Sequence, residues 1–281
     1  MRWKDLNRSK NVVDNRRSGG GNRTLIGGGI GTIIVVIIGL LMGQNPLELI
    51  NQVGVNSAQT STYEPSAAEN ELADFVTVVL GQTEEVWNDI FKQNGMTYKE
   101  PQLELFTGQV STACGSASSA VGPFYCPDDY KVYIDLSFMD ELANRFKAGG
   151  DFAQAYVVAH EVGHHVQNLL GTSAKVQNMR GKVSEKEYNR LSVRLELQAD
   201  FYAGIWAHYA HKKNQIIEPG DVEEALRAAH AIGDDMIQKQ TQGHIVPDAF
   251  THGSSQQRMY WFKLGLETGD LSKGDTFSSD I

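Results

Sequence analysis

The chain is poor in cysteine and proline, with two and seven among 281 residues. Two cysteines cannot staple a disulfide-dense secreted scaffold, and alone they leave a zinc site short of ligands. The low proline count, with 41% hydrophobic residues, excludes collagen-like and wholly disordered classes. An excess of positive charge is missing too: 25 Lys and Arg face 34 Asp and Glu, for a net charge of −9. No internal repeat is found, and only one long uncharged run is rich in Ile, Leu and Val.

That run divides the charge. Residues 1–24 hold seven basic side chains (Arg2, Lys4, Arg8, Lys10, Arg16, Arg17, Arg23) and two acids, net +5. Leu25–Gly43 has no charge, and the rest carries 18 basic and 32 acidic side chains, net −14. A nucleic-acid-binding role is excluded for the bulk of the chain. Nineteen residues at about 1.5 Å each just cross a hydrocarbon core of about 30 Å. A cleaved signal peptide and a buried soluble helix compete with this reading. No small-x-small cleavage signature follows Met42, however, which favours an uncleaved anchor. Because Lys and Arg stay on the cytoplasmic side, the anchor predicts an N-terminus inside and the acidic body outside. The expected organisation is a cytoplasmic basic tail (1–24), a transmembrane segment (25–43), a polar linker (44–66) and one extracytoplasmic domain (67–281).

Cys114 and Cys126 lie twelve apart in a segment rich in Gly, Ser and Pro. An oxidising compartment favours a disulfide between them, with two buried thiols as the alternative.

Residues 151–170 read as a helix, with Asp151 as N-cap and Gly171 as its stop. Within it stands His160-Glu161-Val162-Gly163-His164, an HExxH. Two His four apart share a helix face and can chelate one metal ion, and Glu161 can reach a metal-bound water. His165 points about 100° away and is not a ligand to the same ion. Gly163 is read as allowing another backbone to pack closely. A catalytic zinc needs a third protein ligand. Ser184 and Glu187 form a capping box opening a long helix on which Glu196 and Asp200 share one face. Glu196 can complete the ligand set, and Asp200 can accept the distal N–H of a ligand His.

HExxH followed some thirty residues later by ExxxD resembles the gluzincin arrangement of zinc peptidases. More closely, the chain resembles the YpfJ-like family of neutral zinc metallopeptidases, bacterial membrane-anchored proteins. The matching stretches include MRWKDLNRSKNVVDNRR, TACGSASSAVGPFYCPDD, KVYIDLSF, AHEVGHHVQNLLG, RLELQADFYAGIWAH, AIGDDMIQKQ and THGSSQQRMYWFKLG. The resemblance implies a zincin-like α+β domain, mostly helical with a small sheet, behind one transmembrane helix. It implies a zinc-dependent peptidase with ligands His160, His164 and Glu196, acting on a peptide or protein substrate. Members often carry Cys where this chain has Phe201, and another near Gly274. Their paired absence implies that a second disulfide of those relatives is missing here.

Val132–Phe138 alternates apolar and polar side chains and reads as a strand, expected to be the substrate-lining sheet edge. His252, ahead of a helix over about 254–267, is the first candidate donor to the oxyanion; Tyr202, Arg258 and His230 are weaker. The acids of an expected 221–240 helix, and His208 and His211, read as capping or surface residues. The expected function is hydrolysis of peptide bonds outside the cytoplasmic membrane, by zinc-bound water that Glu161 activates. Neutral His ligands predict metal loss below about pH 5–6. A zinc-stabilised envelope scaffold with little turnover is the alternative.

Overall fold

The computed structural model describes residues 1–17 and 63–280. Six short strands and eight helices of six or more residues are found there. A four-stranded sheet runs β1 (Val12–Asp14), β2 (Gln102–Phe106), β6 (Lys131–Asp135) and β5 (Phe124–Cys126) from edge to edge. The first three strands are parallel and β5 is antiparallel to β6. A small hairpin, β3 (Gln109–Thr112) with β4 (Gly115–Ser118), stands apart from it. The chain is thus helix-rich α+β with a small sheet.

The helices are α1 (Ala67–Gln93), α2 (Ser137–Asn144), α3 (Asp151–Leu169), α4 (Thr172–Gln177), α5 (Glu185–Asn214), α6 (Asp221–Ala231), α7 (Asp234–Gln242) and α8 (Ser255–Thr268). Three open on capping boxes: Ser66 with Glu69, Ser184 with Glu187, and Ser254 with Gln257. Each box satisfies backbone N–H groups that the first turn would leave bare. The core joins sheet and helices through Leu103, Ile134, Phe152, Val158, Trp206 and Phe262. α3 lies at its centre, packed against α1, α5, α6, β5 and β6.

The uncharged run 25–43 and most of the linker lie outside the described residues. Among the described residues no helix is long and apolar enough to cross a membrane. Residues 1–17 correct the expected tail. They belong to the body: β1 pairs Val12 with Leu103 and Asp14 with Leu105. The Trp3 ring meets Phe75 edge-on at 5.3 Å. The Gly81 position on α1 shows the same closeness, since a Cβ there would stand 2.7 Å from the Asn7 carbonyl oxygen. Arg16, 4% exposed, binds Asp14, the Glu69 carbonyl and Asn70. The basic residues are countercharges for body acids: Arg2 for Glu218, Lys4 for Glu71, Arg8 for Asp74 and Arg17 for Glu64. Residues 1–17 are thus packed into the same unit as residues 63–280.

Three smaller expectations also change. The helix expected over 221–240 is two, broken at Ile232–Gly233. Gly233 packs against the Ser255 backbone, where a Cβ would collide. Asp151 is the first residue of α3 rather than its cap, and its carboxylate accepts the Met1 ammonium at 2.7 Å. The strand expected over 132–138 stops at Asp135, whose carboxylate accepts the Ser137 N–H and turns the chain into α2. That strand lies inside the sheet; the edge strand touching α3 is β5. The disulfide Cys114–Cys126 is present and ties the turn of the small hairpin to β5.

Candidate metal centre

α3 and α5 cross at Gly163, where a Cβ would stand 2.9 Å from the Ala199 carbonyl oxygen. The missing side chain lets the two backbones approach, and this sets Glu196 opposite both histidines. Gly163→Ala is expected to cost about 1–3 kcal/mol through overpacking. Zinc retention should fall with it; thermal melting and metal analysis read the two effects, and an unchanged melt would refute the close-packing role.

Glu196 bridges the pair: its Oε2 is 3.2 Å from His160 Nε2 and its Oε1 is 3.5 Å from His164 Nε2. Ligands at 2.0–2.2 Å around a tetrahedral zinc lie about 3.3–3.6 Å apart, close to both Glu196–His spacings, and one donor atom from each of the three residues lies within 4.8 Å of the others. The far ring nitrogens are engaged. His160 Nδ1 donates to Asp200 Oδ1 at 2.8 Å. His164 Nδ1 faces Gln167 Oε1 at 2.9 Å. The Gln167 amide nitrogen is committed to Leu195 O and Gln198 Oε1, which leaves its oxygen for His164. Both Nε2 lone pairs are thereby free for a metal.

Asp200 is fully buried and accepts from Tyr156 Oη at 2.5 Å, Arg258 Nε at 2.9 Å and Arg258 Nη2 at 3.0 Å. Burial alone would lift this carboxyl; Arg258 and His160 outweigh it and hold it below the usual range. An ionised Asp200 only accepts, which fixes the proton of His160 on Nδ1. Sequence reasoning gave no role to Tyr156 or Gln167. Their signal was position: one turn before His160 and one turn after His164.

Burial likewise opposes charge on both histidines, yet the carboxylates win: Asp200 and Glu196 raise His160 to about 10, and Glu196 raises His164. In the metal-free protein this charge stabilises the fold fully below the ordinary His value of 6.5 and is lost as pH rises toward 10. Zinc must displace those protons, so competition reaches well above the pH 5–6 window expected from unperturbed histidines. Zinc addition at pH 7 should release at least one proton, with affinity rising about tenfold per pH unit per proton. Calorimetry in buffers of different ionisation enthalpy measures the release; no release at pH 7 would contradict the raised values.

Glu161 is 8% exposed and faces the same cleft. Among the described residues its carboxylate has no hydrogen-bond or ion-pair partner. Burial raises its pKa, partly countered by His164 and His160. His252 also lines the cleft, its Nδ1 3.3 Å from Asp234 Oδ1. Asp234, expected as a capping or surface acid, is buried and its Oδ2 accepts the N–H groups of Thr251, His252 and Gly253. It thus fixes the loop that carries His252. Desolvation by the cleft opposes charge on His252, whose side chain is half exposed, but Glu196 and Asp234 outweigh it and raise it to about 9.

Of the other candidates, Arg258 also lines the cleft, and the rest lie elsewhere. His165 is buried against Tyr125 Oη and Lys99 O, and burial lowers it to about 4. Tyr202 packs edge-on to Trp87, His230 lines a separate hollow, and Arg258 is occupied by Asp200. The C-terminal segment docks without a second disulfide. Gly274 lies against the Phe201 ring, Gln198 Nε2 reaches Gly274 O at 3.0 Å, and Thr276 Oγ1 reaches Arg194 O at 2.6 Å. Phe201 thus packs directly against Gly274, the second of the two positions at which cysteines were expected in relatives.

Residues 1–277 match the family described as "Putative neutral zinc metallopeptidase". The chain belongs to that family. It is 47% identical over 290 aligned residues to "Uncharacterized protein YpfJ" of Escherichia coli strain K12, with 100% of both chains covered. It is 43% identical over 255 residues to "Uncharacterized protein Rv2575" of Mycobacterium tuberculosis, covering 86% of this chain and 83% of that one. No solved structure matches the chain.

Proposed function

We propose that the protein is a zinc-dependent peptidase whose general base is Glu161. The observation that carries this reading is the buried Glu161 carboxylate beside the metal-ligand set. Among the described residues the Glu161 oxygens have no protein partner and they open onto the cleft, so the carboxylate is placed to meet a species bound there rather than committed to the fold. A purely structural zinc site would close its fourth position and needs no such group. Family membership supports the same chemistry.

His160, His164 and Glu196 would hold the zinc ion. Bound there, zinc supplies Lewis acidity, polarising the scissile carbonyl and making water beside Glu161 more acidic. Glu161 takes the water proton and passes it to the leaving amine. His252, held by Asp234 and charged at neutral pH, donates to the developing oxyanion. Arg258 and Asp200 keep His160 in one tautomer and one orientation. The free edge of β5 beside α3 suits an extended substrate added as a strand.

The disulfide supports an oxidising, extracytoplasmic setting for the body, with residues 1–17 on the same side. By composition, Leu25–Gly43 is the segment suited to a membrane. The test is protein purified without chelator and offered an unfolded polypeptide. Stoichiometric zinc and cleavage that a chelator stops and added zinc restores are expected. Protein without zinc, or zinc protein that cleaves nothing, would sink the reading.

A further inference from the structure

The cleft that holds the metal ligands encloses about 490 Å³, and most of its wall is apolar. Phe138, Phe146, Val157, Ile232 and Ile237 gather on it, four of them only half-buried. Half-buried aromatic and branched side chains concentrated in one concavity leave apolar surface that a ligand can cover. The loop after the small hairpin forms another part of the wall. Gly122, at φ +79°, brings that loop against Phe138, where a Cβ would stand 3.3 Å from the ring. The disulfide tethers the same hairpin to β5, so the wall is built rather than loose.

Position along α3 says which part of a substrate this surface meets. Val157 precedes Glu161 by four residues and therefore shares its helix face, one turn away, about 6 Å along the axis. The apolar surface thus begins directly beside the base. Charge at the rim does not change its character. Glu141 and Arg145 face one another at 3.7 Å, and the Arg145 guanidinium lies 5.0 Å from the Phe146 ring centroid. Each charge already has a counterpart, so neither is free to recruit a charged substrate residue.

We infer that the site selects a bulky apolar side chain on a residue flanking the scissile bond, seated between Phe138, Phe146, Val157, Ile232 and Ile237. This rests on the peptidase reading above. Adding even one methylene to a fitting apolar pocket changes kcat/KM by about 10–200-fold, so Leu or Phe should exceed Ala by at least about tenfold.

The experiment uses the full zinc-loaded chain with quenched peptides differing only in one residue, Leu, Phe, Ala, Lys or Asp, on either side of a single cleavable bond. Mass spectrometry places the cut. In parallel, calorimetry measures binding of hydroxamates with leucyl or alanyl side chains to zinc-loaded Glu161→Gln protein. Leu and Phe should lead in cleavage, and the leucyl hydroxamate should bind at least about tenfold tighter. Ile237→Asn should cut both preferences to below about threefold while zinc content holds, with Phe138→Ser as the second variant should the first lose zinc. Cleavage without apolar preference, or a preference for Lys, overturns the inference and leaves the peptidase reading standing. Leucyl preference in binding without any cleavage upholds the pocket and overturns the peptidase reading. Neither binding preference nor cleavage overturns both.

Discussion

Glu161→Gln is expected to keep stoichiometric zinc and to lose cleavage by roughly 10²–10⁴-fold in kcat. The substitution preserves size and leaves His160, His164 and Glu196 untouched, with Glu196 oxygens 3.2 and 3.5 Å from the two histidine Nε2 atoms. What it removes is a feature that a metal-stabilised scaffold would not need. Glutamine cannot take a proton from water, and it cannot deliver one to a leaving amine. His160→Ala is the contrasting control. It removes a ligand and takes one donor from the fully buried Asp200, which keeps Arg258 and Tyr156, so zinc should be lost and stability should fall with it. Metal analysis and peptide turnover on the same preparations separate the two effects. Equal turnover in wild type and Glu161→Gln would leave the buried carboxylate without a chemical role and favour the scaffold.

Much of this site was legible because it is written in local code. HExxH needs only the 3.6-residue period to bring two imidazoles together, and Ser184 with Glu187 announces the start of α5. Glu196 and Asp200 could be singled out because acids stood in an otherwise apolar stretch. Gly163 was readable for the same reason, as a residue with no chemistry in the middle of a chemical motif. Asp234 was not readable in this way. Its role depends on where a distant loop returns, since it is useful only once Thr251–Gly253 lies over it. The break between α6 and α7 has the same origin: Gly233 yields to the Ser255 backbone, and nothing within 221–240 signals that contact.

The sheet was the harder part. Val132–Asp135 alternates as a half-buried edge strand would, yet β2 and β5 flank it. β1 was invisible for a different reason. Its apolar pair Val12–Val13 is short and sits among seven basic residues, a composition that positive-inside logic reads as topogenic. Pairing with Glu71, Asp74 and Glu218 gives those charges another purpose, one that requires the body's fold to be known. The basic side chains of residues 1–17 and the body acids they meet are complementary surfaces of one unit.

That conclusion carries the second large effect. Deleting residues 1–17 should remove about 5 kcal/mol or more, comparable with the whole stability of a typical domain. It strips the edge of β2 at Leu103–Leu105, uncovers Phe75 beneath Trp3, and leaves Asn70 and the Glu69 carbonyl without Arg16. Loss of soluble, zinc-binding protein is expected; a truncated chain with unchanged melting would refute an integral β1. Topology gives an independent check in whole cells, because the native cysteines are tied to each other and do not react. Lys10→Cys and Lys273→Cys, both exposed, report on the N-terminal segment and on the body. A membrane-impermeant maleimide should label both. A single-pass anchor with the N-terminus inside would label only position 273, and it would then forbid the ladder from Val12 to Leu103. The two arrangements cannot coexist in one chain, since a hydrogen-bonded strand pair has no membrane between its members.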